Sequence, residues 1–85
     1  MPEISRFYGI VIYLFYDEHN PPHFHAEYAG FKALITMKDG VVKGKMPKRA
    51  LKLIFEWMEM HNDKLMENWE LSLKGEPLKN IEPLD

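Results

Sequence analysis

The chain has 85 residues, a formal net charge of −2 and no cysteine, which bounds a single domain and excludes disulfides, thiolate catalysis and cysteine metal sites. With 46% apolar and 13% aromatic residues it carries enough hydrophobic material for a core, which argues against disorder. A domain of this size buries only about 60–65% of the surface that its unfolded chain exposes, so its stability is expected to be modest.

From Phe7 to Tyr16 the residues are almost all β-branched, aliphatic or aromatic, which predicts a strand apolar on both sides. Asp17 to Pro21 reads as the following loop. A second strand from Pro22 to Tyr28, a turn at Ala29 and Gly30, a third strand from Phe31 to Met37, a turn at Asp39 and Gly40, and a fourth from Val41 to Lys45 make two tight hairpins. A two-residue turn at Ala29-Gly30 pairs Tyr28 with Phe31, Ala26 with Ala33 and Phe24 with Ile35 on one face. It pairs Glu27 with Lys32, His25 with Leu34 and His23 with Thr36 on the other. The turn at Asp39-Gly40 sets Met37 against Val42 and Thr36 against Lys43.

Pro47 suits the first turn of a helix, and Ala50, Leu51, Ile54, Phe55 and Met58 follow at helical spacing, with Lys48, Lys52, Glu56 and Glu59 on the wet side. Asn62 is placed to cap a second helix from Asp63 to about Lys74, with Leu65, Met66, Trp69 and Leu73 inward and Gly75 ending it. The tail from Glu76 to Asp85 carries Leu78, Ile81 and Leu84, spaced to lie in a groove. The expected fold is α+β over residues 1–85: a meander of about four antiparallel strands (about 7–45) with two C-terminal helices (about 47–74) packed on one face, then an extended tail (76–85). A first strand apolar on both faces needs cover, from the tail, from a protein partner or from a second copy of the chain.

The segment His19-Asn20-Pro21-Pro22-His23-Phe24-His25-Ala26-Glu27 holds three of the four histidines. If Pro22 opens a strand, alternation sends His23, His25 and Glu27 to one face and Phe24, Ala26 and Tyr28 to the other. Two imidazoles at alternate strand positions stand about 6.6–7 Å apart at their Cα atoms, close enough to reach one ion, with His19 or Glu27 as a third ligand. Zinc, nickel or manganese are the divalent metals considered. Such a site with an open position suits a hydrolase or nuclease, with Glu27 or Glu18 as ligand or base. The plainer reading leaves His23 and His25 as solvent-facing strand residues, bonded to Thr36 and Glu27, and contacting a partner. Ring nitrogens of His19, His23 and His25 about 3–4 Å apart favour the ion; rings splayed outward favour the partner.

Lys32, Lys43, Lys45, Lys48, Arg49 and Lys52 gather along the polar strand face and the start of the first helix, and suit RNA or DNA phosphates or a solvated surface. Trp57 and Trp69 read as core residues. The only serines, Ser5 and Ser72, sit in no nucleophile turn, and the glycines form no phosphate-binding loop, so serine hydrolase and nucleotide-binding readings fail. The N-terminus lacks a signal peptide's pattern and no apolar run reaches the roughly 20 residues of a membrane span, so a cytoplasmic protein is expected.

On Pro2-Glu3-Ile4-Ser5-Arg6 with Phe7-Tyr8-Gly9, on His19 to Ala26, on Pro47 to Trp57, on Glu67 to Glu70 and on Ile81 to Leu84, the chain resembles a family of small bacterial proteins catalogued as a domain of unknown function. The resemblance implies neighbouring genes for a second small domain, in settings of toxin–antitoxin type, and hence a protein partner. It supplies no catalytic residues. The preferred expectation is a partner-binding module rather than an enzyme, using His23, His25, Glu27, Lys32, Lys43 and Lys45, with a metal site at His19, His23, His25 and Glu27 and nucleic-acid binding as alternatives.

Overall fold

The computed structural model describes residues 2–16 and 18–85; Asp17, the first residue of the expected loop, lies outside them. Five strands, β1 (Glu3–Phe7), β2 (Ile10–Tyr13), β3 (His23–Tyr28), β4 (Phe31–Thr36) and β5 (Val42–Gly44), form one antiparallel sheet in sequence order, followed by α1 (Lys48–Leu73). The α+β class is as expected, with one strand more and one helix fewer.

The extra strand arises because Phe7–Tyr16 is not one strand. Tyr8 and Gly9 both adopt positive φ, 49° and 80°, which reverses the chain and pairs Phe7 with Ile10. Ala29 and Gly30 make the same kind of turn, with φ of 49° and 85°. Two left-handed residues in a two-residue loop match the right-handed twist of the flanking strands. The single helix arises because the backbone stays helical on both sides of His61, where φ and ψ of −125° and 25° kink the element one residue before the expected cap Asn62.

The β3–β4 register has all six pairs expected from the Ala29-Gly30 turn. Between β4 and β5 the pairing is shifted by two: Ile35 faces Val42 and Leu34 faces Lys43, in place of Met37 with Val42 and Thr36 with Lys43. The loop is longer than two residues, because Thr36 both receives the backbone and accepts the Val41 N–H on its Oγ1 at 2.8 Å. A shift of two preserves side-chain parity, so the faces remain sorted.

The inner face buries Ile10, Ile12, Leu14, Phe24, Ala26 and Ile35 against Ala50, Ile54, Trp57, Met58 and Leu65 of α1. Trp57 anchors this layer, its ring 5.4 Å from Phe7 and 5.9 Å from Phe24. Phe55 and Leu73, expected inward, are exposed; Phe55 lies over Gly40, and Asn68 and Ser72 are buried on the helix instead. Asn68 faces inward because it straps the tail: its side chain donates to the Lys79 carbonyl and accepts the Lys79 N–H, both at 2.8 Å. The Ile81 N–H donates to the Ile4 carbonyl on the β1 edge at 2.8 Å, and Trp57 donates to the Glu82 carbonyl at 2.9 Å. The tail thus closes one sheet edge and caps the core. Among the described residues no helix is long and apolar enough to cross a membrane.

Gly44 is required where β5 crosses β4: with φ of 112°, a Cβ there would stand 2.6 Å from the Lys32 carbonyl oxygen. Gly44→Ala is expected to lower unfolding free energy by about 2 kcal/mol or more. Gly30→Ala, at φ 85° with open space around it, is expected to cost only about 1 kcal/mol. Urea melts of the two variants check the order; equal losses would refute the close approach.

Candidate metal centre

The site is built on β3 and on the connection that leads into it. Phe24 is fully buried on the inner face, which turns His23 and His25 to the opposite side. On the connection between β2 and β3, Glu18 lies against both rings. His25 Nε2 donates to Glu18 Oε1 at 2.9 Å, and His23 Nε2 lies 3.5 Å from Glu18 Oε2.

His23 is not the solvent-facing residue expected. Its side chain is only 7% exposed, because Trp69, from α1 beyond the kink, packs against it with ring centroids 5.2 Å apart. Its partner is not Thr36 either: Nδ1 lies 2.8 Å from the Pro21 carbonyl. A carbonyl only accepts, so Nδ1 carries a proton, and in the neutral ring Nε2 presents a lone pair. That Nε2 is buried without a hydrogen-bond partner, and the 3.5 Å approach to Glu18 is an electrostatic contact outside hydrogen-bond geometry. An orphaned buried acceptor costs about 1–3 kcal/mol. An imidazole fixed through one nitrogen by a backbone carbonyl and offering the other is how ligating histidines are oriented.

His25 is held from both sides. Tyr13 stacks on it at 5.4 Å with planes 13° apart, and the Phe15 edge meets it at 4.8 Å. Tyr13, directly across from His25 on β2, is 5% exposed, so the two imidazoles stand among rings rather than in bulk water.

Among the described residues, one ligand atom each from Glu18, His23 and His25 can be chosen so that all lie within 4.8 Å of one another. Ligands about 2.0–2.1 Å from a tetrahedral ion stand roughly 3.4 Å apart. The closest contacts to Glu18, each through a different carboxylate oxygen, are 2.9 Å from His25 and 3.5 Å from His23. Two nitrogens and one carboxylate oxygen make three protein ligands and leave a fourth position open. His19 and Glu27, expected as ligands, do not join this group. His19 is exposed on the loop, and Glu27 projects from β3 two residues beyond His25, opposite Lys32 and Val11. Lys32, Lys43 and Lys45 are exposed on β4, on β5 and just after it.

The sequence profile of a family described as "Domain of unknown function (DUF4160)" matches residues 9–70. The chain belongs to that family. The matched span contains Glu18, His23, His25 and Trp69, whereas Pro2–Arg6 and the docked tail lie outside it. Comparison with curated proteins and with solved structures returned no match.

Burial, and then the charge of Glu27, hold the Tyr13 phenol above its ordinary range. The folded chain therefore keeps this proton to higher pH than the unfolded chain. Its contribution to stability is present below about pH 10 and is lost as pH rises through the raised value. Glu27→Gln is expected to lower the midpoint of the Tyr13 titration, followed by absorbance at alkaline pH, while leaving it above the ordinary range because burial remains. A midpoint unchanged by the substitution would place Glu27 away from the ring.

Proposed function

We propose that this chain binds a divalent transition metal through Glu18, His23 and His25 and uses the open fourth position for hydrolytic chemistry. The observation that carries this reading is the His23 imidazole, pinned through Nδ1 and presenting a buried, unpartnered Nε2 to the carboxylate that also holds His25. Zinc fits the two-nitrogen, one-oxygen set; manganese and nickel are the alternatives. When bound, the metal supplies an activated water at neutral pH and polarises a substrate oxygen.

The protein's part is orientation and exclusion of bulk water. Pro21 accepts from His23 Nδ1, Tyr13 and Phe15 fix the His25 ring plane, and Trp69 packs against the His23 ring. A ligating imidazole must be neutral with its lone pair toward the ion, so protons compete with a cation for these side chains and affinity falls at acid pH.

The partner-binding reading, as one half of a toxin–antitoxin-type pair in a bacterial cytoplasm, is a second proposal. It is favoured by exposed Tyr8 and Phe31, 59% and 42% accessible, at the hairpin end of the sheet. Light scattering at high concentration and a pull-down test it; a clean monomer recovering no partner sinks it.

Titration with zinc, manganese and nickel, followed through the histidine resonances, is expected to shift His23 and His25 while leaving His19 and His61 in place. His23→Ala or Glu18→Gln should weaken binding by more than about a hundredfold, beyond the cost of losing an orienting partner. No selective shift at micromolar metal would overturn the assignment.

A further inference from the structure

The net charge of −2 conceals a strong segregation. Seven of the eleven Lys and Arg residues lie between Lys32 and Lys52 with a single acid, Asp39, among them, whereas the remaining chain carries four cations against twelve acids. All seven cations of this segment are exposed, and among the described residues none makes an ion pair. Among the described residues, the Lys and Arg ion pairs lie elsewhere and join Arg6 to Glu3 and Lys79 to Glu67.

The sheet places this basic stretch beside the Glu-His-His group. His25 pairs with Leu34 and Leu34 with Lys43, so Lys43 projects from the same face two strands away, about 9–10 Å between Cα atoms. Lys45 donates its N–H to the Lys32 carbonyl at 3.3 Å, which sets these two residues side by side. The chain then passes into α1, whose first turn holds Lys48 and Arg49 and no acid. Cations at a helix N-terminus oppose the helix dipole, so the arrangement is not explained by local stability. On the opposite flank of His25 stands Phe15, whose ring meets it at 4.8 Å and which is 40% exposed; the next residue, Tyr16, is 39% exposed.

A row of unpaired cations suits a chain of regularly spaced negative charges, and exposed rings at its end suit flat, unpaired bases. We propose that the surface running from Phe15 past His25 to Lys43 and Lys45, and on along the chain to Lys48 and Arg49 at the start of α1, binds the phosphodiester backbone of single-stranded nucleic acid and presents it to Glu18, His23 and His25. The docking stands on the charge row and the rings; its consequence, cleavage, rests on the metal-centre reading above. In that step a water oxygen bonds to phosphorus, one ester P–O bond breaks, the hydroxyl stays on the new phosphate monoester and the remaining proton goes to the departing alcohol oxygen.

Fluorescence anisotropy of labelled single-stranded RNA and DNA oligonucleotides, measured in EDTA, tests docking without any metal. Binding is expected to weaken between about 50 and 200 mM salt with a log–log slope of roughly −0.7 per phosphate contacted. Lys43→Glu with Lys45→Glu should weaken it by at least about tenfold and flatten that slope, and Lys43→Gln with Lys45→Gln should do so to a smaller degree, the fold being checked by circular dichroism. RNA binding tighter than DNA would assign a contact to the 2′-hydroxyl; equal binding would leave the backbone alone as the recognised feature, and both support the proposal. No anisotropy change at low salt, insensitivity to the lysine substitutions, or displacement by poly-glutamate as effective as by unlabelled oligonucleotide would overturn it. Adding zinc or manganese then separates the two readings. Cleavage that is lost in His23→Ala supports both, whereas binding without cleavage keeps the docking face and removes the delivery of substrate to a hydrolytic centre.

Discussion

Phe24 under Trp57 is the contact on which the rest of the molecule depends. Burying a phenylalanine side chain is worth about 1.5–3 kcal/mol, and Phe24 is fully inaccessible. A slip of one residue in β3 would move this ring and Ala26 into water and push two imidazoles and a carboxylate into the core, where unpaired polar and charged groups cost several kcal/mol more. The register of the central strand is therefore strongly specified. Everything on the outer face inherits its placement from that choice, including the 6.6–7 Å stagger of the two histidines expected for alternate strand residues.

The strand supplies two of the three converging groups, and the third comes from a connection whose ends are clamped. Leu14 is buried and donates its N–H to the Pro2 carbonyl, while the Pro22 carbonyl accepts from Met37. Between these anchors the Tyr16 hydroxyl reaches the Glu76 carbonyl at 3.0 Å. The same tail is tied to Asn68, Trp57 and Ile4, so one strap links the helix, the β1 edge and the loop carrying Glu18. The two sheet edges are managed differently. β1 is covered by the tail, whereas β5 is three residues long with Lys43 at its centre and Lys45 just after it, a short charged edge that resists pairing with other strands.

The kink at His61 has a functional consequence. The first half of α1 lays Ala50, Ile54 and Trp57 on the inner face; beyond His61 the helix carries Leu65, Asn68 and Trp69, and Trp69 reaches the ring of His23. His23 is thus buried from one side by tryptophan, fixed at Nδ1 by Pro21 and faced at Nε2 by Glu18. Surroundings of low polarity strengthen electrostatic interactions and raise the cost of an unpaired group. Membership in a family of unknown function adds no chemistry to this picture, and the chemical argument rests on the arrangement of these side chains alone.

Local rules in the chain were enough to settle the α+β class, the Ala29-Gly30 hairpin with its six pairs, and the common face of His23 and His25, because strand alternation and two-residue turns are governed by neighbours. Three features lay beyond them. The Tyr8-Gly9 reversal was masked by apolar residues on both sides, since a tyrosine in the left-handed region is uncommon and carries no pattern of its own. The two-residue shift of β5 came from Thr36 capping a longer loop, and the choice of Glu18 over His19 and Glu27 came from how the connection between β2 and β3 places Glu18 against both rings. Those outcomes, like the burial of His23 by Trp69, required distant segments to meet, and only the packed tertiary structure decides which of several nearby polar groups arrives at the same point.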